Sequence, residues 1–271
     1  MDGSRIGPVS HAQPEKGIFG LRISEMDVAD AARAIASSAG AKTGYPRMFV
    51  TPNIQHIAEM RTNKELRSAL QAADIVTCDG FPVAKYARMR GCAIPGRVTG
   101  REVTEYLMRH ANLADTHRMF FLVDSEETAQ AVNRWARSPS QHCACHVVVA
   151  PAGFGDDAAY CDMLARQISD FGCTLLFLCV GAPRSELFAA RYRNKLPDCW
   201  VLCVGQSVRL TLGLNRPPPA LVEKLNLEWL WRIMLEPKRM TKRYVNAIGG
   251  FAMAVAADLK AVHADAGNIA T

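Results

Sequence analysis

The chain has 271 residues, 49% of them hydrophobic and 21% charged, with 32 Lys and Arg against 26 Asp and Glu. That length suits one large α/β domain or a domain plus an appendage, and the composition excludes a disordered or collagen-like chain. The net charge of +6 is too small to demand nucleic acid by its sum, so its distribution matters more.

In chain order, Met1-Asp2-Gly3-Ser4-Arg5 lacks the apolar stretch of a signal peptide. Buried strands are predicted at Met48–Thr51, Ile75–Cys78, Arg118–Val123, His146–Ala150, Leu175–Val180 and Trp200–Val204, because each is a short, near-continuous apolar run. Helix-like segments lie between them at Ile54–Ala72, Arg101–Ala111, Glu126–Ala136, Asp157–Asp170 and Ser185–Lys195. Alternation of this kind predicts an α/β chain with a parallel sheet and helices on both faces. Asn215-Arg216-Pro217-Pro218-Pro219 then breaks the pattern, since proline is excluded from helix interiors. An α/β domain over 1–216 and a basic, aromatic helical appendage over 217–271 are expected. The late apolar run Val245–Ala257 carries Asn246 and two glycines and is shorter than the ~20 residues a membrane span needs. A cytoplasmic chain, peripheral on the cytoplasmic face of the cell membrane, is expected.

Nine cysteines, an odd number without a CxxC pair, suggest neither a disulfide framework nor structural zinc. Cys143 and Cys145 with His142 and His146 make a poor cluster, because neighbours on a strand point to opposite faces.

Ligands of parallel sheets bind beyond the carboxyl ends of the strands. Five successive strand ends here carry polar or glycine residues: Thr51-Pro52-Asn53, Cys78-Asp79-Gly80, Asp124-Ser125, Pro151 to Gly155, and Gly181-Ala182-Pro183. Asp79 is positioned as a general base or as a cap of the next turn. Thr51 and Asn53 can cap the helix from Ile54 and still face the rim. Gly181-Ala182-Pro183-Arg184 offers backbone N–H groups and a cation to a diphosphate. Arg97, in Pro95-Gly96-Arg97-Val98-Thr99-Gly100, is either a surface residue or a phosphate ligand. The chain has no GxGxxG, no Walker A sequence and no D-x-D triplet. A dehydrogenase and a P-loop ATPase are disfavoured on that ground, and a metal-free mechanism is the more natural.

From Arg232 to Arg243 there are five basic residues and one acid, interleaved with Met and preceded by Trp229 and Trp231. Such a composition suits a helix in a headgroup interface; a solvated basic helix and a nucleic-acid patch are the alternatives.

Taken together, these residues resemble the WecG/TagA/CpsF glycosyltransferase family. The carriers are Thr51-Pro52-Asn53, Ala73 through Gly80, Arg97-Val98-Thr99-Gly100, Gly181-Ala182-Pro183-Arg184-Ser185-Glu186, and Leu227-Glu228-Trp229-Leu230-Trp231-Arg232 followed by Glu236-Pro237-Lys238-Arg239. The resemblance implies that 1–216 is a Rossmann-like catalytic domain, that of an inverting transferase moving a hexose or N-acetylhexosamine from a UDP-sugar to an undecaprenyl-diphosphate-linked saccharide in cell-surface polysaccharide synthesis. It implies no cofactor and no metal, an inner-membrane partner surface, no nucleic acid, and self-association. By the same resemblance Asp79 is the base, Thr51 and Asn53 line its pocket, and Arg97 meets phosphate. The turn from Gly181 through Ala182, Pro183, Arg184, Ser185 and Glu186 binds substrate. Arg232, Arg239 and Lys242, with Arg243 beside them, close from the appendage. Three departures stand out: Ser185 where the family usually has Gln, Asp124-Ser125 in place of a glycine pair, and Gln206-Ser207-Val208-Arg209 after the last strand. A non-catalytic, membrane-docked partner of a transferase complex and a nucleotide-dependent oxidoreductase on a similar sheet are the rival readings.

Overall fold

The computed structural model describes residues 17–110, 117–138, 143–215, 219, 221–222, 228–235 and 237–269. A two-stranded hairpin, β1 (Gly17–Ile18) and β2 (Leu21–Arg22), precedes α1 (Val28–Ser38). Then come β3 (Arg47–Val50), α2 (Ile54–Glu59), α3 (Lys64–Gln71), β4 (Ile75–Val76), α4 (Phe81–Met89) and α5 (Gly100–Arg109). The second half runs β5 (Arg118–Val123), α6 (Glu126–Ala136), β6 (Ala144–Val149), α7 (Ala158–Asp170), β7 (Leu175–Cys179), α8 (Arg184–Arg191), β8 (Trp200–Cys203) and α9 (Ser207–Thr211). Two further helices follow, α10 (Glu228–Leu235) and α11 (Pro237–Ile269).

Six strands form one parallel sheet in the order β4-β3-β8-β7-β5-β6. Every residue of β7 and β8 is buried, as expected of strands covered on both faces. Alternate side chains divide into two cores. Met48, Val50, Phe120, Leu122, Leu176, Leu178 and Val201 pack with α2, α3, α7 and α8 on one face. Phe49, Met119, Phe121, Leu175, Phe177 and Leu202 pack with α1, α5, α6 and α9 on the other. The predicted α/β sheet covered on both faces is therefore the fold.

Two local expectations change. The segment 54–72 is two helices rather than one: Asn63 caps the second by accepting the Leu66 N–H at 3.0 Å, and the chain turns between them. The hairpin, α1 and α4 were not foreseen.

The last helix belongs to the first of these cores. Ala254 is buried there, and Phe251 and Val255 pack against it. Phe251 meets Phe19 and Tyr86 edge-on at centroid distances of 5.8 and 6.5 Å. Asp258 accepts the Phe19 N–H at 2.7 Å and the Tyr86 hydroxyl at 2.8 Å, and it pairs with Arg90. No helix among the described residues is long and apolar enough to cross a membrane.

Candidate active site

The loops after β3 and β8 leave the sheet toward opposite faces, for Ile57 of α2 lies in one core and Val208 of α9 in the other. A crevice opens between such loops. Here it is covered by the start of α5. A Cβ on Gly100 would stand 3.1 Å from Ser207 Oγ, 3.4 Å from Thr51 Oγ1 and 3.4 Å from the Val204 Cα. Glycine at position 100 permits that approach.

Backbone pairing extends past the ends of β3 and β4. The Asp79 N–H donates to the Pro52 carbonyl at 3.1 Å, and the Val98 N–H donates to the Cys78 carbonyl at 3.1 Å. Thr77 Oγ1 donates to the Val98 carbonyl at 3.3 Å. Three candidate segments are thereby tied side by side, 51–53, 77–80 and 97–100. Thr99 caps α5 in a reciprocal box with Glu102, which fixes the loop that carries Arg97. Asp79, Asn53 and Arg97 are each half-buried and Thr51 is buried. Burial pushes the Cys78 thiol up to about 12, so it stays uncharged beside Asp79.

Asn53 caps α2. Its Oδ1 accepts the N–H groups of Gln55 at 3.0 Å and His56 at 3.4 Å, and its own N–H lies 3.3 Å from His56 Nδ1, which is also 3.0 Å from Oδ1. On the far side of the ring, His56 Nε2 lies 3.4 Å from Glu186 Oε1.

The Gly181 turn stands at the end of β7, three strands from β4 and so roughly 14 Å away at the usual strand spacing. Gly181 has φ of 80°, a left-handed backbone that favours glycine. Arg184 folds back toward it, its Nη2 3.8 Å from where a Gly181 Cβ would be. Ala182 and Pro183 are half-buried and Arg184 is exposed. Ser185 is fully buried, and its hydroxyl donates to the Leu178 and Gly181 carbonyls, both at 3.3 Å. That hydroxyl braces the turn from within. Glu186 is also buried.

The two altered loops prove to be one feature. Gln206 Nε2 donates to Asp124 Oδ2 at 3.4 Å, and Arg209 Nη1 donates to Ser125 Oγ at 3.0 Å and Thr128 Oγ1 at 2.7 Å. Arg209 Nη2 donates to Glu127 at 2.7 Å. Residues after β5 and β8 are thus clamped together across the end of β7, the strand between them. In the sequence these departures read as unrelated; only the strand order brings them together.

Of the appendage residues, Arg243 is described and exposed, and its Nε donates to Gln55 Oε1. The side chains of Arg232, Arg239 and Lys242 lie outside the described residues. A cleft of about 560 Å³ runs between α2 and α11, lined by Gln55, Glu59, Arg61, Arg243, Asn246 and Met253 among others. Sequence reasoning missed Glu59 there and His56 beside Asn53. His56 carried a signal, since it stands three residues after the cap, where a capping box places its second partner.

His142 lies outside the described residues, and His146 Nε2 lies 2.9 Å from Gln167 Nε2. Among the described residues no three His, Cys, Asp or Glu side chains gather to hold a metal ion, and all nine cysteines are free thiols.

Residues 17–264 match the glycosyl transferase WecG/TagA/CpsF family. The chain belongs to that family. It is also similar to the N-acetylglucosaminyldiphosphoundecaprenol N-acetyl-beta-D-mannosaminyltransferase of Bacillus spizizenii (strain ATCC 23059 / NRRL B-14472 / W23), with 23% identity over 206 residues, 74% of this chain and 77% of the relative. A glycosyltransferase family on a parallel sheet directs attention to the strand ends that carry Thr51, Asn53, Asp79 and Arg97.

Proposed function

We propose that the chain transfers a hexose or N-acetylhexosamine, with inversion and without a metal, from a UDP-sugar to an undecaprenyl-diphosphate-linked saccharide in cell-surface polymer synthesis. The observation that carries this reading is the backbone pairing of Asp79 with Pro52 and of Cys78 with Val98. It lays the segments that carry a carboxylate, an amide and a guanidinium side by side at the ends of β3 and β4. The acceptor named for the Bacillus relative, a diphosphoundecaprenol carrying N-acetylglucosamine, supports the acceptor class.

In this reading the acceptor hydroxyl attacks the anomeric carbon from the face opposite UDP. A new C–O bond forms, the bond to the phosphate oxygen breaks, and its electron pair leaves with UDP. The hydroxyl proton passes to the Asp79 carboxylate, a role that contributes roughly 10²–10⁴-fold. Charge growing on UDP needs fixed donors. Arg97, the amides of the Gly181 turn and the basic residues of 232–243 are the groups available. A donor reaching from Asp79 to Gly181 would lie across the ends of β3 and β8.

The basic, aromatic appendage supports work at the cytoplasmic membrane face, against the headgroups that surround a lipid-linked acceptor. Self-association belongs to the same proposal and is read directly by sedimentation.

The deciding experiment combines a radiolabelled UDP-sugar with a lipid-linked acceptor. Asp79→Asn is expected to lower turnover by about 10²–10⁴-fold with an unchanged melting temperature. Near-normal turnover in that variant removes Asp79 from the base role.

A further inference from the structure

Glu186 is a carboxylate 3% exposed, in the first turn of α8. Its Oε1 faces His56 Nε2 at 3.4 Å, and its Oε2 is buried without a hydrogen-bond partner. Burying such a group is costly unless a donor meets it, so this position demands an explanation.

The proton inventory supplies one. A carboxylate only accepts, so a hydrogen bond between Glu186 and His56 needs the proton on Nε2. Nδ1 stands 3.3 Å from the Asn53 backbone N–H and 3.0 Å from Asn53 Oδ1, so it finds a partner as acceptor or as donor, and a proton held on Nε2 by Glu186 selects the form in which Nδ1 accepts from the N–H. With that N–H satisfied and Asn53 Oδ1 occupied by two helix amides, the side chain has only its Nδ2–H donors to offer a ligand.

From this we infer that Glu186 and His56 are positioning residues. Glu186 sets the tautomer of His56, and His56 holds Asn53 at the mouth as a hydrogen-bond donor toward a substrate oxygen. The inference rests on the proposed function and deepens it. It also gives Glu186 a role other than substrate contact, and it links the helix after the Gly181 turn to the segment beside Asp79. Charged and titratable groups facing the pair are Glu59 on α2, itself beside Arg243 of α11, and Cys203 on β8.

The first test needs no substrate. Long-range ¹H–¹⁵N spectra of the full chain are expected to show neutral His56 protonated on Nε2 in the unaltered protein. In Glu186→Leu the ring should become a mixture of tautomers. Protonation on Nδ1 in the unaltered protein, or an identical tautomer in Glu186→Leu, overturns the relay. Because this readout is independent of catalysis, it stands even if no UDP-sugar is transferred.

The second test uses turnover. Glu186→Leu is expected to lower kcat by about 10–100-fold with little change in KM for the donor, as when a supporting partner is lost. Glu186→Gln keeps the volume and an acceptor oxygen, so it should recover most of that loss. Equal kcat in the Leu and unaltered proteins, or a Gln variant as impaired as Leu, also overturns it.

Discussion

Gly250 of α11 lies against Ala58 of α2 so closely that a Cβ added to it would stand 2.5 Å from the Ala58 Cβ and 3.1 Å from its Cα. The neighbouring Gly249 has nothing within 4 Å of its own virtual Cβ. Two adjacent glycines in one helix therefore do different work: one is the contact by which the appendage docks, and the other is a site of lost helix propensity.

Opposite responses to one substitution follow from that. Gly249→Ala is expected to stabilise the chain by about 0.5–1 kcal/mol, the usual gain of alanine in a helix interior. Gly250→Ala is expected to cost about 1–3 kcal/mol as an overpacking change, because the atoms it meets cannot turn aside. Chemical denaturation of both variants checks the pair, and equal effects would contradict the packing.

The Arg209 clamp has a measurable contribution. Its side chain is 17% exposed, and its guanidinium meets Ser125, Thr128, Glu127 and Asn215. Arg209→Ala strands several of these partners and is expected to cost about 1–3 kcal/mol. Arg209→Lys should recover only a part, since an ammonium lacks the planar fork. Full recovery in the lysine variant would mean that charge alone matters there.

Asp258 tests how the final helix is held. Three donors converge on it, the Phe19 amide, the Tyr86 hydroxyl and Arg90, with side chains 12% exposed for Asp258 and 18% for Arg90. Burial, the largest cause, pushes the Tyr86 phenol above its ordinary range. Asp258→Ala leaves the Phe19 amide without its acceptor and Arg90 with only the Tyr86 hydroxyl, and is expected to cost about 1–3 kcal/mol. Hydrogen exchange at the Phe19 amide should accelerate with it, and an unchanged rate there would show that the hairpin is held by other contacts.

Much of this architecture was legible in the chain. Five of the strands could be read because their apolar runs are buried, whereas β6, expected to be buried, is a half-buried edge strand that carries His146; α6, capped by Ser125, begins and ends where its pattern predicts. The break between α2 and α3 was hidden because Met60 is buried and continues the apolar rhythm; only the Asn63 cap marks it. In the site, Thr51, Asn53 and Asp79 could be found from their places after strands. The job of Ser185 could not, because its hydroxyl is spent on two backbone carbonyls whose positions exist only in the fold. Nor could the pairing of Gln206 with Asp124, which depends on β7 lying between two strands distant in sequence.

Glu59 supplies a pH dependence with a definite sign. Burial, its largest cause, holds its carboxyl above the ordinary value of 4.5, with Glu186 adding to the rise and His56 and Arg243 opposing it. An acid whose folded value lies above its unfolded one binds its proton more tightly when folded. Its contribution is therefore favourable at low pH and is lost as pH rises through the folded value. Glu59→Gln removes that loss. The melting temperature of the variant minus that of the unaltered chain should become more positive from below pH 4.5 to neutrality. A difference that stays flat or turns more negative with rising pH would mean that Arg243 and His56 outweigh burial at the α2–α11 cleft.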